Sequence, residues 1–331
     1  MIGVVNWLLP RETAHERVDG DRARKAGEMS VDDWTIIFAA AMRLSVPLLF
    51  AGCGEWIAER AGTLNISIEG MMLSGAFFGI VGSGWTGNAS AGLLFGIAGG
   101  LVVGYLHGTM SHRLSANTFV VGITLTILVT GLTSFLSAEF RVTGQQVGIV
   151  SVPILRDIPL IGEGLFSQRW PAYSVWVLIP AAWWLVHRTR WGLEIRAAGE
   201  DPQAADVCGV TVNIRRRQAL VLCGALAGFG GAYLSVGEVG SFNQQMTGGR
   251  GFIVLAAVIF GGWKLGGTVV GCLLFGLADS LRLALPALGY QWNPQLLIMS
   301  PYLLALVVMV LFASGHRRPA GLAKPFKRGL V

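Results

Sequence analysis

Polar and apolar residues fall along this chain in long blocks, not in the short periods of a soluble fold. Nine stretches are almost wholly apolar: Trp34 to Gly54, Asn65 to Gly84, Ala89 to Met110, Asn117 to Ala138, Ala172 to His187, Gln218 to Gly237, Phe252 to Trp263, Gly266 to Leu285 and Gln295 to Ala313. A membrane helix needs about 20 mainly apolar residues, and every backbone polar group inside the bilayer must be satisfied within the segment. The alternating pattern of a membrane β-barrel is absent, so the blocks predict an all-α, polytopic transmembrane bundle of about 8–10 membrane segments. Phe252 to Trp263 is short for a full span. The pattern divides the chain into a polar N-terminal tail (1–33), a transmembrane domain (34–314) with a charged loop at 188–217, and a basic C-terminal tail (315–331).

Composition strengthens this reading. The chain is 53% apolar and only 13% charged, where a soluble domain carries roughly 25% charge. The net charge of +6 does not point to nucleic acid, because the arginines cluster in one loop (Arg188, Arg190, Arg196, Arg215, Arg216, Arg217) and in the C-terminal tail. Such clusters act as cytoplasmic topology determinants. They put the turn at His112 and Arg113 inside and the loop from Glu139 to Pro171 outside; nine full crossings would leave the N-terminus outside. Trp34, Trp85, Trp170, Trp191, Trp263 and Trp292 lie near predicted span ends, as interfacial tryptophans do.

Gly92, Gly96, Gly100, Gly104 and Gly108 recur every four residues and so share one helical face. Gly224, Gly228 and Ala232, then Gly267 and Gly271, form shorter stripes. Small residues on one face let helix backbones approach closely in lipid. Two polar, glycine-rich regions, Arg60 to Gly70 and Ser241 to Gly251, each precede an apolar segment and a glycine-spaced span. They read as a weak internal repeat of the kind transporters carry.

Catalytic signatures are missing. The GxGxxG at Gly82, Gly84 and Gly87 follows a membrane segment instead of a strand, and no GxxxxGK[ST] loop occurs, so any ATP would be bound by another chain. His15, His107, His112, His187 and His316 have no HExxH or paired-cysteine context, and Cys53, Cys208, Cys223 and Cys272 show no metal-ligand spacing. Among ionisable residues within spans, Arg43, Glu69 and Asp279 are candidates for function, although Asp279 can be neutralised by Arg282 three residues on, and Glu69 can simply bond backbone. The most specific local signal is GEDPQAADVCGV, Gly199 to Val210. Asp201 suits an N-cap, Pro202 the first helical position and Gly209 the stop, which marks out a short helix of about two turns between the arginine groups.

Three blocks, GEWIAERAGTLNISIEGMMLSGAFFG (Gly54 to Gly79), AAGEDPQAADVCGV (Ala197 to Val210) and MTGGRGFIVLAAVIFGGWKLGG (Met246 to Gly267), resemble the permease subunits of ATP-binding-cassette importers for nucleosides and simple sugars. That family is related to ribose and branched-chain amino-acid permeases, and the resemblance runs over roughly Leu44 to Ala313, most like the shorter of two nucleoside-type permeases. It implies a type II importer fold in a bacterial cytoplasmic (inner) membrane, in contact with lipid, paired with itself or a paralogous permease. Two cytoplasmic ATP-binding subunits carrying ATP and Mg, and an extracytoplasmic solute-binding lipoprotein, would complete the importer. This chain would bind no cofactor and catalyse no reaction. By the same resemblance Glu200, Asp201, Pro202, Ala204, Ala205 and Gly209 form the ATPase-coupling loop, and Asn65, Ser67, Glu69, Thr247, Arg250 and Phe252 line or frame the translocation pathway. The alternative is an ion-coupled secondary transporter using Glu69 or Asp279. Relatives of the shorter type begin near the first span, which makes Met29 a candidate start.

Overall fold

The computed structural model describes residues 30–139, 143–153, 155, 158, 161–290, 293–312 and 318–326. The tail through Met29, with the choice of start inside it, lies outside the described residues, as do Arg317, Lys327 and Arg328.

Each of the nine apolar stretches is made mostly of one helix. In chain order these are α1 (Val31–Arg60), α2 (Ile68–Thr86), α3 (Ala89–His112) and α4 (Thr118–Glu139), then, after a strand β1 (Ile149–Ser151), a short α5 (Gly162–Phe166) and β2 (Ser167–Arg169), α6 (Trp170–Arg188). The charged loop holds α7 (Arg190–Glu200) and α8 (Pro202–Val207). Beyond it come α9 (Val212–Ala232), which runs on as a π-helix through Tyr233–Val239, α10 (Arg250–Phe260), α11 (Leu265–Ala287) and α12 (Pro294–Phe312). Asparagines start three of them: the Asn88 side chain accepts from Ser90 N at 2.8 Å, Asn117 from Phe119 N at 2.9 Å and Asn293 from Gln295 N at 3.0 Å. A capping oxygen satisfies backbone donors that have no partner within the first turn.

Five of these helices, Val31–Arg60, Ala89–His112, Thr118–Glu139, Val212–Val239 and Leu265–Ala287, are long and apolar enough to cross a membrane. The eleven residues of α10 reach only about 16 Å, roughly half the hydrocarbon thickness. Apolar side chains on α3 and α4 face outward, among them Leu94, Val102, Ile127 and Phe135. Such a surface suits lipid and would be a liability in water.

The chain forms two compact units. The smaller comprises residues 30–46, 148–172 and 273–311 of the described chain. In it Ile36 and Ile37 pack with Ala284, Leu285, Leu288 and Leu297, and the Tyr290 hydroxyl donates to Asp33 at 2.9 Å. The long loop between α4 and α6 contributes the β1–β2 hairpin there, paired antiparallel from Ile149–Arg169 to Ser151–Ser167. Asp279 bonds Arg282 at 2.6 Å, one turn away on α11.

The larger unit comprises residues 47–147, 173–272 and the C-terminal segment. Its centre is α2, α3 and α9, and the glycine stripes explain their proximity. A Cβ added at Gly100 would lie 2.6 Å from Gly228 Cα, and one at Gly92 would lie 2.6 Å from Gly79 O and 2.7 Å from Ser83 Cβ. Real side chains do not tolerate such distances, so only glycine lets these backbones meet. Farther along, a Cβ at Gly271 would sit 3.0 Å from Ala257 Cβ, bringing α11 onto α10.

Candidate functional site

Three interruptions of the long helices carry the polar chemistry of the larger unit: residues 61–67 after α1, the charged loop with α7 and α8, and residues 240–249 before α10. The first lies against the second where Gly62 meets Gly199, and Glu69, just past the first on α2, bonds the third.

At the break before α10, Gly248 and Gly249 take φ of +54° and +82°, turning the chain into α10 with a residue that has no capping side chain. Glu69, in the first turn of α2, supplies the cap from a distance of nearly two hundred residues. One carboxylate oxygen accepts from the Thr247 hydroxyl at 2.6 Å and Gly249 N at 2.9 Å, and the other accepts from Gly251 N at 2.7 Å. A negative charge at a helix N-terminus is favourable both for the free N–H groups and for the helix dipole. Glu69 and Thr247 are buried. Arg250 folds back, donating to Met246 O at 3.2 Å, while Phe252 is exposed.

Asn65 and Ser67 belong to a second network. Asn65 donates to Glu55 at 2.8 Å and to Cys223 Sγ at 3.3 Å, and the Ser67 hydroxyl donates to Asn65 Oδ1 at 2.8 Å. Ser67 also shares a hydrogen bond with His107 Nδ1 at 2.6 Å, and His107 Nε2 another with Thr118 at 2.9 Å. Beside it, Thr63 meets His112 Nε2 at 2.8 Å. One turn beyond Glu55, Glu59 accepts from the Trp263 indole N–H, and the Trp263 backbone carbonyl accepts from Trp56 Nε1 at 2.9 Å. Glu55 and Glu59 are fully buried, and one oxygen of each has no hydrogen-bond partner among the described residues. The six residues expected along the pathway therefore fall into two groups: Glu69 with Thr247 and its neighbours, and Asn65 with Ser67. Glu55 and Glu59 join them without having been singled out from the sequence, and His107 and His112, weighed there only as metal or hydrolytic candidates, join as hydrogen-bond partners. The available signal was a pair of acidic residues four apart at the end of an apolar run, which places them on one face of a buried helix.

The charged loop holds two helices where one was expected. Gly199 and Glu200 close α7, which the Thr189 hydroxyl caps by accepting from Gly192 N at 3.0 Å. The short helix α8 then starts where its chemistry predicts. Asp201 Oδ1 accepts from Gln203 N and Ala204 N, each at 3.0 Å, Pro202 opens the first turn, and Gly209 ends it at φ +85°. Ala205 is buried against Ala198 and Val212. Ala204 is exposed on the other side, and Val207 is 89% exposed, an apolar side chain held out at the tip of a capped helix. Glu200 to Gln203 form one wall of a cleft of about 510 Å³ whose other wall is the C-terminal segment, including Gly321, Lys324 and Phe326.

Ser67 with His107 and Thr63 with His112 pair a hydroxyl with an imidazole, but all four side chains are buried between helices; the carboxylates face backbone donors, an amide, a hydroxyl, a thiol and an indole. The geometry holds helices together and presents a surface.

Comparison with known proteins agrees on the kind of chain this is. The family model described as branched-chain amino acid transport system / permease component matches residues 37–313. TsgC13 of Haloferax volcanii, a permease protein named for a glucose ABC transporter, is 37% identical over 293 residues, covering 82% of this chain and 89% of its own. The nucleoside ABC transporter permease protein NupC of Lactococcus lactis is 36% identical over 297 residues, 85% of this chain and 93% of its own. The guanosine ABC transporter permease protein NupQ of Bacillus subtilis is 30% identical over 312 residues, 89% and 97% respectively.

Proposed function

The chain belongs to the branched-chain amino acid transport system permease component family, as a multi-pass membrane permease and not an enzyme, and from that premise we propose that it imports nucleosides or a related simple sugar by ATP-driven alternating access. In this reading it has the type II importer fold and works beside a second permease. A loaded solute-binding lipoprotein docks outside; closure of two cytoplasmic ATPase subunits, which bind the ATP and Mg, rocks the permease pair; solute leaves inward.

The observation that carries the reading is convergence. The three blocks that resemble the importer permeases are far apart in sequence, yet the first bonds the third through Glu69 and Glu59 and lies against the second where Gly62 meets Gly199. Around that junction, Asn65, Ser67, Glu69, Thr247, Arg250 and Phe252 line or frame the path. At its cytoplasmic edge, Glu200, Asp201, Pro202, Ala204, Ala205 and Gly209 form or shape the ATPase dock, with Val207 the apolar tip. Glu69 is occupied as a helix cap and Asp279 bonds Arg282, which supports ATP over a coupling ion as the energy source.

Nucleosides lead as substrate because two of the three relatives described above are named for them; glucose follows. The test is uptake by the full transporter in proteoliposomes, with radiolabelled guanosine, adenosine, glucose and ribose offered separately. Nucleoside uptake that needs internal ATP and survives an ionophore is expected. Uptake that an ionophore abolishes while ATP is intact would overturn the mechanism, and uptake of sugars alone would overturn the substrate. Replacing Glu200 and Asp201 with alanine is expected to weaken ATPase association and uptake; no change in either removes the docking assignment.

A further inference from the structure

Arg216 is an arginine in the first turns of a membrane helix, yet it is fully buried and its four hydrogen bonds all go to backbone carbonyls. Nε donates to Ala61 O at 3.1 Å, at the end of α1. Nη2 donates to Ala198 O at 3.0 Å, in the last turn of α7, and to Gly321 O at 3.2 Å. Nη1 donates to Lys324 O at 2.7 Å. One guanidinium thus ties α9 to three other segments. The fork of five donors in a fixed plane can serve several carbonyls at once, which a lysine ammonium cannot do from one point.

The same segments are laced together around it. Gly321 N donates to Gly199 O at 2.8 Å, Ala323 N to Gly62 O at 3.1 Å and Ala320 N to Glu200 at 3.4 Å. Gly62, at φ +90°, brings its backbone within van der Waals contact of both Arg216 and Gly199, and any Cβ there would strike Arg216 Nη2 at 2.8 Å. The short helix α8 begins at Pro202, two residues after Glu200, with Asp201 as its cap. Basic residues 318 and 324 therefore do not sit on a free tail: the segment from 318 to 326 is part of the same joint.

We infer that Arg216, with the C-terminal segment 318–326, is the positioning element that makes α8 and the end of α1 one mechanical body, so that a movement of the ATPase at α8 reaches α1 instead of being absorbed by a loose loop. This rests on the reading that α8 receives the ATPase. Arg216 touches no solute and no nucleotide; it acts through the two backbones it holds.

The test uses the full transporter, purified with its ATPase and solute-binding partners and reconstituted, with R216K and, separately, a chain ended after Arg318. The truncation leaves Arg216 in place but removes two of its four acceptors, so it does not depend on the folding of R216K. The readout is solute moved per ATP hydrolysed. Both variants are expected to copurify with the ATPase and hydrolyse ATP while that ratio falls at least tenfold. A nitroxide on Cys208, the one exposed cysteine of the four, is expected to gain mobility in both. A wild-type ratio in either variant overturns the inference. Loss of ATPase copurification in R216K also overturns it, since Arg216 would then shape the dock and not transmit its motion. Failure of the underlying reading looks different: it is the Glu200 and Asp201 double alanine variant assembling and transporting normally.

Discussion

Replacing Glu69 with glutamine isolates the remote cap of α10. In the native protein Oε1 serves Thr247 and Gly249 N while Oε2 serves Gly251 N. Glutamine keeps one carbonyl oxygen for the first pair but turns an NH2 group toward the Gly251 N–H, leaving one buried donor facing another. An unsatisfied buried donor costs about 1–3 kcal/mol, and losing the charge at a helix N-terminus costs about 0.3–1 kcal/mol more. The sum, about 1–4 kcal/mol, is large enough to favour local opening of the first turn of α10 by roughly 10- to 1000-fold, at about 1.4 kcal/mol per tenfold. Alanine removes both oxygens and orphans two N–H groups, for about 2–6 kcal/mol. Hydrogen–deuterium exchange by mass spectrometry, on the purified permease in lipid nanodiscs, reads this in peptides spanning 246–256. Exchange there is expected to accelerate in E69Q and further in E69A, while peptides from α3 keep their rates, because opening is local to the element whose contacts are lost. T247V, which removes only the hydroxyl donor, is expected to have a smaller effect and to be non-additive with E69Q. Unchanged exchange over 246–256 in E69Q would refute the cap.

Removing the α8 cap with D201A is expected to cost about 1 kcal/mol and to raise exchange across residues 203–207 about fivefold; an unchanged rate would mean Asp201 does not hold the helix. G100V is expected to abolish monodisperse protein in detergent chromatography, because even a Cβ at Gly100 would lie 2.6 Å from Gly228 Cα, whereas G131A, with nothing within 4 Å, should elute as wild type. Maleimide is expected to label Cys208 alone in the folded permease and all four cysteines after denaturation in dodecyl sulfate, as counted by intact mass, since Cys53, Cys223 and Cys272 are buried; more than one native label would contradict their packing.

The spans were legible because lipid imposes length and hydropathy on each one separately. The stripe from Gly92 to Gly108 was legible for the same reason: its spacing is a property of one helix, although its partners, α2 and α9, were not foreseeable from it. Local capping chemistry gave α8 its start at Asp201 and its stop at Gly209. It did not reveal α7, whose first turn mixes Arg190 and Trp191 and whose buried face amounts to Gly192, Ile195, Ala198 and Gly199, too short a stripe to stand out. What escaped entirely were partnerships at long range. Glu55 meets Cys223 across 168 residues and Arg216 meets Lys324 across 108, and Arg216 contacts only carbonyls, which every residue type supplies. A sequence carries no mark of which carbonyl an arginine will find, so the charge clusters at Arg215 to Arg217 and in the C-terminal tail could be read for topology alone.

These long-range contacts concentrate on the last two turns of α1. Glu55, Glu59 and the carbonyl of Ala61 lie on successive parts of one helix end, and each is gripped from a different direction: by Asn65 and Cys223, by the Trp263 indole, and by Arg216. From Asn65 the bonds continue through Ser67 to His107 on α3; from Trp263 they reach the turn between α10 and α11. A close-packed interior transmits strain instead of compressing. Displacing the carbonyl of Ala61 therefore shifts two buried carboxyl groups and with them both helix pairs, α2 with α3 and α10 with α11. The alternative, leaving the carboxyl groups behind, would strand polar atoms inside an apolar environment, one oxygen of each already lacking a partner among the described residues. A helix end fastened in this way favours discrete arrangements over gradual ones, which is what the alternating-access cycle proposed above would require of it.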